Sequence, residues 1–149
     1  MTSRSILLVE DSPDDEALTL RAMKKNHIMN DITVAHDGAE ALEFLFPGDG
    51  AADGATLPGL VLLDLKLPKV DGLEVLRRIR ADQRTAIVPV VVLTSSKEQE
   101  DILDSYHSGA NGYVRKPVTF AGFSDAVNTL STFWLQLNEE APEHAPTTG

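Results

Sequence analysis

The sequence contains no cysteine, which removes a disulfide framework and every form of thiolate metal or redox chemistry. That composition is compatible with a reducing cytoplasm. Basic residues are scarce: 13 Lys and Arg stand against 23 Asp and Glu, for a net charge of -10. A polyanion approaching such a surface meets long-range repulsion, so direct nucleic-acid binding is not expected. No apolar run comes near the roughly 20 residues needed to cross a bilayer. Met1 to Ser5 leads straight into a strand-like run, without the basic, apolar and small-residue segments of an export signal. Histidine is limited to His27, His36, His107 and His144. They are scattered, without an acidic partner at a suggestive spacing, and none reads as a phosphocarrier or metal ligand. The expectation is a soluble cytoplasmic protein with neither membrane nor nucleic-acid partners.

What is present fits one α/β domain. The 149 residues are 42% apolar and 24% charged, a globular balance that needs no staples to build a core. Five runs rich in Val, Ile and Leu (Ser5 to Glu10, Ile32 to Ala35, Leu60 to Asp64, Val88 to Thr94, Gly112 to Arg115) alternate with helical patterns near 14–26, 38–46, 72–82, 97–108 and 120–137. Such alternation marks a mainly parallel sheet in a (βα)5 chain. The third and fourth runs are continuously apolar, as central strands covered on both faces require. On the third helix Leu73, Val75, Leu76 and Ile79 form one apolar stripe, and Arg77, Arg78 and Arg80 are expected outside it. Met23 and Met29 read as core filler. The Gly- and Pro-rich stretch Pro47 to Pro58 reads as a surface loop, and residues 138–149 as a mobile acidic tail after a domain spanning 1–137.

In an open parallel sheet, ligands bind beyond the carboxyl ends of the strands. Those ends carry Glu10-Asp11, Asp64, Thr94-Ser95-Ser96 and Lys116-Pro117. Three carboxylates converging on one rim repel each other unless a cation holds them. Oxygen ligands without His or Cys suit a hard ion, and a small site with room for water favours Mg²⁺ over Ca²⁺. If Asp64 attacks phosphorus, an aspartyl phosphate forms. The metal and Lys116 would then neutralise charge on the equatorial oxygens, with the Thr94 hydroxyl hydrogen-bonding one of them.

The set Val9-Glu10-Asp11-Ser12-Pro13, Leu63-Asp64-Leu65-Lys66-Leu67-Pro68 with Asp71-Gly72, Leu93-Thr94-Ser95-Ser96 and Lys116-Pro117 resembles the response regulator receiver domain family over about residues 5–137. The resemblance implies a flavodoxin-like doubly wound sheet of strand order 2-1-3-4-5. It also implies Asp64 as phosphoacceptor, Glu10, Asp11 and the Lys66 backbone carbonyl on the metal, and Thr94 and Lys116 on the phosphoryl group. Thr94 and Tyr113 would be the switch pair, although Tyr113 also reads as a half-buried edge aromatic. The Lys116–Pro117 bond is expected to be cis. The chain would be a stand-alone response regulator, not an enzyme, taking phosphate from a sensor histidine kinase.

A narrower resemblance rests on the insert before the third strand, Asp101 to Tyr106, Ala110-Asn111-Gly112-Tyr113 and Phe133-Trp134-Leu135. These are similar to the small receivers paired with bacterial phytochromes, which implies a phytochrome-type kinase. Lys66 departs from the Asn that many of those relatives carry. On the last helix Phe123, Val127, Leu130, Trp134 and Leu137 form the stripe expected to cover the sheet. Phe120, Phe133 and Leu135 fall off it, so a homodimer along the last strand and helix is expected. Two other readings fail on particular residues. An aspartyl-phosphate hydrolase needs an acid two residues after its nucleophile, where Lys66 stands. A flavodoxin phosphate loop would be repelled by Glu10, Asp11, Asp14 and Asp15.

Overall fold

The computed structural model describes residues 5–47 and 57–139. Strands β1 (Ile6–Val9), β2 (Ile32–Ala35), β3 (Leu60–Leu63), β4 (Val90–Thr94) and β5 (Gly112–Arg115) alternate with helices α1 (Pro13–Lys25), α2 (Gly38–Leu45), α3 (Gly72–Ala81), α4 (Gln99–His107) and α5 (Phe120–Thr132). They form one parallel sheet of order β2-β1-β3-β4-β5, the expected doubly wound, flavodoxin-like arrangement.

Every residue of β1, β3 and β4 is buried, because successive side chains feed two separate cores. Leu7, Val9, Val61 and Leu63 pack on one face with Ala41 and Leu45 of α2 and Val75, Leu76 and Ile79 of α3. Ile6, Leu8, Leu60 and Leu62 pack on the other with Met23 of α1 and Phe123 and Val127 of α5. Each such fully buried aliphatic side chain contributes about 1.5–3 kcal/mol. Helix α1 begins sharply: the Ser12 hydroxyl accepts from Asp15 N at 3.2 Å, and Pro13 occupies the first turn with Asp14, Asp15 and Glu16. A capping side chain, a preset φ and acids at the positive end of the helix dipole all favour that start.

Several expectations are corrected. The end of α5 passes into a π turn, Phe133–Leu137, which slips the helical phase by one residue. Leu135 therefore turns into the core after Val127 and Ser131, Leu137 turns out to 67% exposure, and Trp134 is half-buried with its ring edge-on to Phe133 at 4.9 Å. Met29 is 88% exposed, since the chain turns at His27 with φ 58 and the neighbouring Ile28 packs against the core in its place. Arg80 does not point outward; its guanidinium is drawn to the backbone carbonyls of Ala86, Val88 and Gly109. No peptide bond is cis among the described residues, so Lys116–Pro117 is trans, the isomer X–Pro bonds favour by about 0.5–1 kcal/mol. Most of the expected loop (48–56) and most of the expected tail (140–149) lie outside the described residues.

Candidate functional site

Sheet register brings the predicted site residues together. Val9 pairs with Leu63, and Asp64 N donates to Val9 O at 3.1 Å, so Glu10 and Asp64 leave adjacent central strands side by side. On the other flank Thr94 pairs with Arg115, and Lys116 N donates to Thr94 O at 2.8 Å. One carboxylate oxygen from each of Glu10, Asp11 and Asp64 lies within 4.8 Å of the others. Glu10 and Asp64 are buried and Asp11 is exposed, which gives the cluster a closed floor and an open mouth.

Hydrogen bonds aim the Asp64 carboxylate. Thr94 Oγ1 donates to Asp64 Oδ1 at 2.8 Å. Lys116 Nζ donates to Glu10 Oε1 at 2.6 Å, to Asp15 Oδ2 at 2.8 Å and to Asp64 Oδ2 at 3.4 Å. Its reach across the rim needs no cis bond. Burial pushes the Glu10 carboxyl up to about 7, with Asp64 adding to the rise and Lys116 opposing it. For Lys116 burial works against the charge, but hydrogen bonds to Asp15 and Glu10 and the charge of Asp64 outweigh it and raise the pKa above the ordinary lysine value. Three carboxylates thus pair with one ammonium, and Asp11 adds a fourth acid beside Glu10 and Asp64. The surplus is negative, oxygen-lined and open to solvent on the Asp11 side, the chemistry that a hard divalent cation fits.

The segment after Asp64 is held from two sides. A Cβ on Gly72 would stand 2.3 Å from the Asp64 carbonyl oxygen, and one on Gly38 would stand 1.8 Å from the Val70 carbonyl oxygen. Only glycine permits both approaches. Lys66 sits in this segment with its N 3.5 Å from Asp64 Oδ1 and its Nζ 3.8 Å from Asp101 Oδ2. Beyond β4 the Ser96 hydroxyl donates to Asp101 at 2.5 Å, and the Tyr113 hydroxyl donates to Ser96 O at 2.9 Å. Tyr113 is half-buried on edge strand β5, and burial raises its pKa.

Sequence reasoning missed Asp15 as a partner of Lys116. The available signal was its place one helical turn beyond Asp11. It also missed Asp101, and it gave His36 no acidic partner. His36 Nε2 lies 2.9 Å from Glu16, and its Nδ1 lies 3.4 Å from Glu40. A groove of about 600 Å³ lined by Leu42, Phe46, Arg78 and Asp82 lies where α2 and α3 end, at the opposite rim. A cation and a phosphoryl group need charge more than volume.

Residues 6–128 match the family model of the response regulator receiver domain. The chain belongs to that family. Among curated relatives, the probable methanogenesis regulatory protein FilR2 of Methanothrix harundinacea is 40% identical over 89% of this chain and 84% of its own length. Response regulator Rcp1 of Synechocystis is 37% identical over 88% of each chain. The Mn²⁺-bound crystal structure of Rcp1 matches this receiver with a TM-score of 0.83 at 35% identity, over 93% of this chain and 99% of that one. The phosphorylated cyanobacterial phytochrome response regulator RcpA matches at 0.87 and 34%, over 95% and 100%. The bacteriophytochrome response regulator AtBRR is 48% identical with a TM-score of 0.72, over 93% and 100%. The acidic cluster of this receiver and the Mn²⁺-bound relative together point to divalent metal binding. Among the described residues no helix is long and apolar enough to cross a membrane.

Proposed function

We propose that this receiver accepts a phosphoryl group from a sensor histidine kinase onto Asp64 and signals through protein contacts rather than by turning over a substrate. The carrying observation is the placement of Asp64: buried, fixed by Thr94, faced by Lys116 and beside two further carboxylates. Glu10, Asp11, Asp64 and the Lys66 carbonyl would hold Mg²⁺. When bound, the ion would offset negative charge at the acceptor and on the incoming group. Thr94 and Lys116 would take phosphoryl oxygens, and Thr94 with Tyr113 would relay the change toward β5. The similarity to RcpA and AtBRR, a phytochrome and a bacteriophytochrome response regulator, supports a phytochrome-type kinase as donor, and a cytoplasmic setting belongs to the same reading. The receiver unit is assigned to 1–137 and an acidic tail to 138–149.

Incubation with Mg²⁺ and a small phosphodonor, followed by intact mass, tests the assignment. Wild type gains one phosphoryl group, and Asp64→Asn gains none. Asp11→Asn is expected to lose the Mg²⁺-dependent labelling. Equal labelling of Asp64→Asn removes the acceptor; normal labelling of Asp11→Asn at the same Mg²⁺ concentration removes the metal assignment.

The proposal includes a homodimer along β5 and α5, with no direct nucleic-acid or membrane contact. Its basis is the apolar surface left by the π turn at the far end of α5, where Phe133 and Leu137 are exposed, with Val118 fully exposed ahead of the start of that helix. Leu135, now inward, no longer contributes. Sedimentation at micromolar concentration should find a dimer that Phe133→Ser with Leu137→Ser dissociates. A wild type that stays monomeric with and without phosphorylation removes the dimer.

A further inference from the structure

We infer that the start of α2 is the mould for the divalent cation site, with Asp37, Gly38 and Lys69 as positioning residues that favour Mg²⁺ over the larger Ca²⁺. This rests on the Lys66 carbonyl being a metal ligand.

A carboxylate can swing toward an ion about its own side-chain bonds, but a carbonyl points only where the backbone dihedrals send it. The direction of the Lys66 carbonyl is therefore a property of the whole segment from Asp64 to Gly72. That segment is fastened at both ends. At its root Leu65 is buried, and its carbonyl accepts from Leu67 N at 3.1 Å and from Gly72 N at 3.0 Å. Toward the far end Val70 N donates to Pro68 O at 2.8 Å, closing a three-residue turn with Lys69 at its centre and φ 69. Such turns with positive φ are rare and strained, and they persist only where the surroundings over-determine them.

The start of α2 supplies that support in three ways. Gly38 N donates to Pro68 O at 3.4 Å, a second bond to the same oxygen. Asp37 is buried and divides its carboxylate: Oδ1 accepts from Glu40 N at 2.8 Å, which caps the helix, and Oδ2 meets Lys69 Nζ at 3.5 Å. Gly38 also lies so close to Val70 that a Cβ there would stand 1.8 Å from the carbonyl oxygen. Asp37 is no member of the cluster of Glu10, Asp11 and Asp64, so its effect on the ion runs through the segment it holds.

Selectivity follows from what each ion demands. Mg²⁺ takes near-ideal octahedral geometry at about 2.0–2.1 Å, whereas Ca²⁺ accepts flexible arrangements of oxygens at about 2.3–2.6 Å. A carbonyl held still serves the first ion, and one free to wander by about 0.5 Å still serves the second. Loosening the mould costs Mg²⁺ more than Ca²⁺.

The test titrates the full chain with Mg²⁺ and with Ca²⁺, each followed by amide chemical shifts, which need no phosphodonor and read weak affinities. Gly38→Ala should weaken Mg²⁺ binding about tenfold and Ca²⁺ binding about twofold or less. Lys69→Met keeps the positive φ but loses the pair with Asp37, and should weaken Mg²⁺ about threefold. Lys69→Gly carries that φ without strain and should bind Mg²⁺ as wild type does. Asp37→Ser keeps a capping oxygen but cannot reach Lys69; it should match Lys69→Met, and the two together should be no weaker than either alone. If Gly38→Ala does not fold, these three variants carry the decision, because they leave the packing of Gly38 intact. The proposal is overturned if Lys69→Met and Asp37→Ser bind Mg²⁺ as wild type does, whatever their stability in urea. It is equally overturned if Mg²⁺ and Ca²⁺ weaken by the same factor, or if Lys69→Gly binds as weakly as Lys69→Met. A wild type whose amides do not respond to Mg²⁺ removes the metal reading and this one with it. Mg²⁺ binding that is lost in Asp11→Asn but indifferent to Asp37, Gly38 and Lys69 removes this one alone.

Discussion

Two partly buried cations mark the two ends of the sheet, and they are solvated by opposite kinds of oxygen. At the amino rim Arg80 of α3 reaches the carbonyls of Gly109 at 2.9 Å, Ala86 at 3.1 Å and Val88 at 2.8 Å, and the side-chain oxygen of Asn111 at 2.8 Å. Asn111 Oδ1 also accepts from Val90 N at 2.8 Å, so one fork ties α3 to the starts of β4 and β5. At the carboxyl rim Lys116 meets only carboxylates. Burial lowers the Arg80 pKa with nothing to compensate, whereas the acids around Lys116 reverse the effect of burial. A rigid fork matched to neutral acceptors is a fastening. A point charge outnumbered by acids leaves a negative surplus, which suits a divalent cation.

Replacing each cation is the direct way to break this comparison. Lys116→Met should cut labelling of Asp64 at least about a hundredfold, by the loss of a preorganised donor. It should also destabilise the chain in chelator by leaving buried acids unpaired, a loss that Mg²⁺ diminishes. Arg80→Ala should instead cost about 2–3 kcal/mol of stability through orphaned carbonyls, read by urea unfolding, with no response to Mg²⁺ and with the folded fraction still taking label. If Mg²⁺ rescues Arg80→Ala as well as it rescues Lys116→Met, the two rims do not differ as described.

A pH series sharpens the contrast. Native Glu10 holds its proton up to about 7 against an ordinary value of 4.5. The folded chain therefore binds more protons than the unfolded chain inside that window, and stability in chelator falls as the pH rises through it. Lys116 adds no slope there, because its shift lies above the ordinary lysine value. Glu10→Gln should flatten the curve, and Arg80→Ala should leave its shape unchanged; a slope that survives Glu10→Gln rejects the assignment. The smallest expected effect is that of Asp11→Asn in chelator, a gain of about 1 kcal/mol or less, since Asp11 is exposed and its repulsion is screened. Thermal unfolding that shows a loss in its place would mean that Asp11 supports the fold directly.

The carboxyl rim was more legible in the sequence than the amino rim. Glu10, Asp64 and Thr94 each follow a run of Val, Ile and Leu, and Lys116 follows the short strand Gly112–Arg115, so locating the strands located the residues. Arg80 sits on a helix among other arginines, and nothing local distinguishes the one whose acceptors lie 6 to 31 positions away. Asp15 and Asp101 escaped for the same reason. Asp15 entered only as a charge that would repel a flavodoxin phosphate and Asp101 only as the start of a helical segment, until Lys116 and Ser96 were brought beside them.

Local pattern determined the (βα)5 alternation, the buried central strands and the residues at the strand ends, because strand and helix periods and the placement of glycine and proline are properties of neighbouring residues. The family motifs carried the strand order. Tertiary structure alone decided which acids share Lys116, which arginine becomes a clamp, and that Leu135 rather than Leu137 enters the core. A buried ammonium or guanidinium takes whichever oxygens the packed sheet presents, and a helix end slips into a π turn when the groove it must fill is one residue out of phase. Both outcomes depend on contacts between segments far apart in the chain, which no local pattern encodes.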